Sequence, residues 1–151
     1  MKIKVLTRSK RLPEFLEKTA KFYAKELNIH KSKYTICIVT DKSIIEDGNN
    51  GLCAKTDEKE ITIGLYSRLG TAKMLTTLAH EMVHAKQLVR GQLKAEIKRG
   101  KAVHHWLGKK MNLDYLDRPW EREAFMRQST LVENLIEYVS KKERAKKKFD
   151  K

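Results

Sequence analysis

Residues 71–91 read TAKMLTTLAHEMVHAKQLVRG, and the rest of the chain is best read outward from them. Leu75, Leu78, Ala79, Met82, Val83, Leu88 and Val89 recur at helical spacing, so the stretch predicts an amphipathic helix. Thr71 suits its N-cap and Gly91 its stop. Inside it stands His80-Glu81-Met82-Val83-His84. Four residues make a little over one turn, so both imidazoles project from one face. Two ring nitrogens so placed can bind one Zn²⁺ at about 2.0–2.1 Å. Glu81, turned by about 100°, is left free to take a proton from water on the metal. Three titratable groups amid apolar neighbours are costly to bury without a partner, which favours a metal over a chance polar stripe.

A catalytic zinc needs a third protein ligand. Glu123, in Arg118-Pro119-Trp120-Glu121-Arg122-Glu123-Ala124, is one candidate, with the small Ala124 allowing two helices to approach closely. Glu121 is its rival and lies nearer the mean direction of Leu131, Leu135 and Val139 on a helical wheel. His104 and His105, beside Trp106, are further candidates. Pattern and wheel disagree, and the choice stays open on these grounds.

The flanking sequence supplies the scaffold. Residues 2–6 read as a short strand, and residues 13–27 carry Phe15, Leu16, Ala20, Tyr23, Ala24 and Leu27 at helical spacing. Residues 34–40 are rich in β-branched side chains and read as a strand. A turn cluster at residues 47–51 precedes two strands, 52–55 and 61–65, joined around residues 56–59 as a hairpin. Pro119 opens a long helix that runs into the C-terminal tail. Residues 92–118 give no clear pattern. The order predicts an α+β domain, with a small antiparallel or mixed sheet packed on the HExxH helix and a later long helix. Residues 1–140 form the domain and residues 141–151 a basic tail. Trp106 and Trp120 read as core anchors.

The 151 residues carry 33 basic and 19 acidic side chains, a net charge of +14. Such a charge attracts polyanions without naming one. The tail alone holds seven basic and two acidic residues. DNA is therefore a possible partner for body and tail, and a solubilising surface is the plainer alternative. No apolar run approaches the ~18–20 residues that span a membrane, and none resembles a secretory signal. With two cysteines, Cys37 and Cys53, both expected as buried free thiols in strands, a cytoplasmic location is expected.

Residues 76–85, Thr-Thr-Leu-Ala-His-Glu-Met-Val-His-Ala, resemble the zinc helix of SprT-like and related phage-encoded metallopeptidases. The strand with Gly51, the hairpin and Ile61-Thr62-Ile63 before the helix are similar to that group's approach to its cleft. Residues 115–124 resemble the Tyr…Pro-Trp-Glu-x-Glu-Ala segment of the phage branch. The resemblance covers roughly residues 50–126. It implies a minimal zincin-like fold in which the hairpin's edge strand borders the cleft and substrate backbone pairs with it. Gluzincins take their third ligand from a Glu followed by a small residue on a later helix, which favours Glu123. The chain departs from SprT proper, whose third His lies in a His-Gly-Pro-x-Phe setting, and no four-cysteine zinc ribbon follows. The implied activity is a zinc-dependent peptidase acting on protein or peptide. His80, His84 and Glu123 hold the metal, Glu81 is the general base and Tyr115 is a candidate oxyanion donor. The alternative is a nucleic-acid-binding module with a structural or vestigial zinc site. The presence of Glu81 argues against it, because a structural site needs no acid beside its ligands.

Overall fold

Alternation along two strands sets the core. In β2 (Thr35–Asp41), Ile36 and Ile38 are fully buried, and in β4 (Glu60–Tyr66) so are Ile61, Ile63 and Leu65. Period-two burial of this kind belongs to a sheet with one face packed. In the computed structural model, which describes residues 1–47 and 50–149, these strands pair in parallel, Ile36 opposite Ile61 and Ile38 opposite Ile63. β1 (Lys2–Leu6) lies parallel on the far side of β2. β3 (Gly51–Asp57) closes the other side, antiparallel to β4. The sheet order is β1-β2-β4-β3, so β3 is an edge.

Two helices cover the packed face, and a third packs on them. α1 (Leu12–Glu26) contributes Leu16, Ala20, Tyr23 and Ala24. α2 (Thr71–Val89) contributes Met74, Leu78, Ala79, Met82 and Val83. The Tyr23 hydroxyl donates to the Leu75 carbonyl at 3.0 Å and ties the two helices together. α3 (Pro119–Phe149) buries Trp120, Glu121, Ala124, Leu131 and Leu135, one face of a 3.6-residue repeat. Burying the apolar members of this set stabilises the fold by roughly 1.5–3 kcal/mol for each large side chain.

The α+β class holds, and the elements predicted before residue 92 are found. The expected turn at residues 47–51 lies partly outside the described residues. One correction falls on the start of α2. Gly70, not Thr71, is the N-cap, and no side chain caps the helix; Thr71 is its first residue. The long helix expected from Pro119 runs without a break through residue 149, so residues 141–149 are helix. A larger departure lies before it. Residues 92–118 hold a separate antiparallel sheet, β5 (Leu93–Lys98), β6 (Lys101–Trp106) and β7 (Lys109–Met111), in the order β5-β6-β7. Two-residue turns join its strands. Arg99 and Gly100 have φ of 52° and 76°, and Leu107 and Gly108 have 51° and 85°. Two successive positive φ angles define type I′ turns, whose twist matches that of antiparallel strands.

Trp120 is a core anchor, at 3% exposure, and Trp106 packs partly buried against the core. Cys37 and Cys53 are free thiols in β2 and β3 and only half-buried, less than expected. No helix among the described residues is long and apolar enough to cross a membrane.

Candidate metal centre

Both imidazoles of α2 face one carboxylate. His80 Nε2 lies 3.0 Å and His84 Nε2 2.8 Å from the same oxygen, Oε1 of Glu121. The three side chains form the one group among the described residues whose donor atoms all lie close enough to hold a metal ion, within 4.8 Å of one another. All three are buried, as is Glu81 beside them.

The far nitrogens of the rings are also occupied. His84 Nδ1 lies 2.9 Å from Gln87 Oε1, and His80 Nδ1 lies 2.8 Å from Gln128 Oε1. The Gln87 amide is fixed by its other contacts. Its Nε2 donates to the Trp120 carbonyl at 3.0 Å and to Glu123 Oε1 at 2.8 Å. Its oxygen can therefore only accept, so His84 carries a proton on Nδ1. At His80 the Nδ1 faces the Gln128 amide oxygen, which as an acceptor assigns the proton to Nδ1 and leaves both Nε2 atoms as lone pairs. Two lone pairs and a carboxylate oxygen in mutual contact are acceptors without a donor. A proton or a cation must sit among them.

With protons alone, burial works against the charge on Glu121. Bonds from His80 and His84 nonetheless hold its pKa down to about 2. Burial likewise opposes charging His84, yet the Glu121 bond outweighs it and raises that pKa. A divalent cation does the same work without protonating either ring. The donor set fits one, since two imidazoles and a carboxylate are the ligands of catalytic zinc sites. Imidazoles whose far nitrogens donate to fixed acceptors are the usual metal-ligand arrangement.

Sequence reasoning favoured Glu123, and the fold places Glu121 there instead. The reason is rotation about α3. Glu121, Ala124, Gln128, Leu131 and Leu135 lie along the face packed on α2, and two residues further on Glu123 is turned by about 200°. Glu123 reaches the end of α2 instead. It pairs with the buried Lys86 Nζ at 2.7 Å and accepts from Gln87. It positions Gln87, which in turn orients His84. His104 and His105 stay outside the group. His104 stacks on Trp120 at 5.2 Å, and its pKa is lowered by burial and then by Arg118. His105 lies on the opposite face of β6, in one cross-strand row with Lys94 and Lys110. That row adds to the basic surface expected from composition.

Glu81 and Tyr115 both border the cleft that opens onto the centre, whose volume is about 1050 Å³. Burial raises the pKa of Glu81. Burial and the neighbouring Glu121 charge push Tyr115 up to about 12, so it keeps its proton at neutral pH. Gly51 lets β3 press against α2 here. A Cβ at this position would stand 2.7 Å from Thr77 Cγ2 and 3.2 Å from Glu81 Cγ.

Gln87, Gln128 and Cys53 were not foreseen. Two of them had a signal in spacing, since Gln87 is three residues past His84 and Gln128 seven past Glu121, both on ligand faces. Cys53 borders the cleft from β3, and its pKa is raised well above the ordinary thiol value by burial and then by Glu81 and Glu121. Compared with protein-family models, with curated proteins and with solved structures, the chain shows no significant match.

Proposed function

We infer that the chain is a zinc-dependent peptidase, and that its resemblance to SprT-like and gluzincin metallopeptidases reflects a shared zincin-like arrangement. One observation carries this reading. Three acceptors converge in a buried pocket that is open to a cleft, with a second buried carboxylate, Glu81, beside them. A structural zinc site normally closes with four protein ligands, whereas this group offers three and a free side.

Zinc held by His80, His84 and Glu121 would act as a Lewis acid and bring a water's pKa toward about 7. Glu81 is buried beside that position and has a raised pKa, so it is suited to take a proton and later hand it to the leaving amine. Tyr115, still protonated, is placed to donate to an oxyanion forming in the cleft. Gln87 and Gln128 hold the imidazoles in the tautomer that directs Nε2 inward. The free thiols of Cys37 and Cys53 fit action on proteins in a reducing compartment. The basic surface adds a means of reaching substrates that sit on polyanions such as DNA.

Elemental analysis of purified protein, with hydrolysis of an unfolded protein substrate measured alongside, tests the reading. One zinc per chain and cleavage lost in Glu81→Gln support it. A folded wild-type protein that takes up no zinc on reconstitution overturns it. The nucleic-acid module is then the better account.

A further inference from the structure

We propose that the substrate is a polypeptide in extended form, gripped between two strand edges, one from each sheet, so that it bridges them across the metal centre. This deepens the peptidase reading and rests on it. The resemblance implies pairing along β3 only; the second edge, β5, is a finding of this fold.

Among the described residues, β3 pairs only with β4, and β5 only with β6. Both border the cleft with consecutive residues, 51–55 and 93–97. A strand that turned its face to the cleft would contribute every second residue. A consecutive run means that the edge itself is presented.

Alternation of the ladders identifies the free groups. Tyr66 N–H donates to the Asn50 carbonyl at 2.8 Å, and Leu107 N–H donates to the Gln92 carbonyl at 2.8 Å. Antiparallel bonding returns at every second residue. In these registers Leu52 and Ala54 bond to β4, and Lys94 and Glu96 bond to β6. Gly51, Cys53 and Lys55 on one side, and Leu93, Ala95 and Ile97 on the other, turn their N–H and C=O groups away from their own sheets. Free edges of this kind are templates for an added strand. A strand sends its backbone groups alternately to its two sides, so one inserted segment can bond to both edges. A nucleic acid backbone offers phosphate acceptors and would leave the carbonyls of both edges unmatched.

The rim describes the side chains that suit the cleft. Lys55, Lys73, Lys94 and Arg118 border it, against Glu96 as the one acid besides Glu81 and Glu121. Acidic residues on the bound segment complement this charge. Ile97, 82% exposed, adds an apolar contact near the hairpin tip.

The test uses full-length Glu81→Gln protein with zinc added and a fluorescent ten-residue acidic peptide free of proline. Binding is read by anisotropy for the parent peptide and for a series with one backbone N-methyl group at each successive position. Each methyl removes one donor, and about tenfold weakening is expected at consecutive central positions. Weakening at alternate positions only means a single edge. That overturns the two-edge grip and leaves the peptidase reading intact. Failure of the folded protein to bind the peptide, or indifference to every methyl group, also overturns the grip; hydrolysis by wild-type protein then judges the peptidase reading separately. Ala95→Pro removes an outward N–H of β5 without breaking a bond to β6, and should weaken binding about tenfold at unchanged zinc content. If that variant does not fold, the N-methyl series decides alone.

Discussion

Gln87 Nε2 donates to Glu123 Oε1 at 2.8 Å while the oxygen of the same amide faces His84 Nδ1. Glu123 thus reaches the candidate metal centre through another side chain, whereas Glu121 contacts both imidazoles directly. The two residues are separable by experiment. Glu121→Ala should abolish stoichiometric zinc binding. Glu123→Gln, which keeps an acceptor for Gln87, should retain zinc with at most a 10–100-fold loss of affinity. Competition with a calibrated chelator measures both, and the reverse order would return the ligand role to Glu123.

Glu123→Ala has a further consequence. Lys86 is 3% exposed, and Glu123 is its only ion-pair partner among the described residues. Leaving a buried ammonium uncompensated costs roughly 3 kcal/mol. Urea unfolding of the metal-free protein should register this loss. Glu121→Ala leaves the Lys86 pair intact and should not incur that cost.

Gly51→Ala should destabilise by roughly 1–3 kcal/mol, the usual cost of overpacking. The new methyl would meet Thr77 Cγ2 at 2.7 Å, and also the Gly64 carbonyl oxygen at 3.1 Å. Adding Thr77→Ser removes the first clash, so the double variant should recover part of the loss. A double-mutant cycle with no coupling between the two positions would refute the contact.

Tyr23 links stability to alkaline pH. Burial raises its pKa above the ordinary tyrosine value, and its hydroxyl donates to Leu75. The folded state therefore favours the protonated form. Its contribution is complete below the unfolded pKa of about 10 and falls as pH rises through that range toward the folded value. Tyr23→Phe should cost about 1 kcal/mol at neutral pH by leaving the carbonyl without its donor. It should also flatten the alkaline fall in Tm, and an unchanged profile would show that another group titrates there.

Chelation should lower the Tm of wild-type protein, and added zinc should restore it. Ligand at 1000 times its Kd stabilises by about 4.1 kcal/mol. Glu121→Ala should show no such response. A Tm indifferent to zinc in the wild type would mean that the ion does not bind the folded state.

Much of this architecture could be read from the chain because strong periodicity marks the buried elements. α2 and the β3–β4 hairpin are such cases, and His80, Glu81 and His84 came with the helix. Glu123 does not join the imidazoles because a short pattern, Glu-Ala, carries less weight than rotation about the helix. The wheel that linked Glu121 with Leu131 and Leu135 carried the better physics, since both leucines are buried on the face that meets α2. The second sheet escaped notice for a different reason. β5 is exposed at every residue but Leu93, so it has little buried alternation to detect. Arg99-Gly100 and Leu107-Gly108, eight residues apart, were its one clear mark, as Xaa-Gly turns between short strands.

Glu121 stands 41 residues after His80 and 37 after His84, beyond the whole second sheet. A nascent chain that has released its first sheet and α2 therefore carries two imidazoles of the group but not its carboxylate. The three donors that could hold a metal ion come together only once the start of α3 has emerged and docked, so an unfinished chain presents an incomplete donor set.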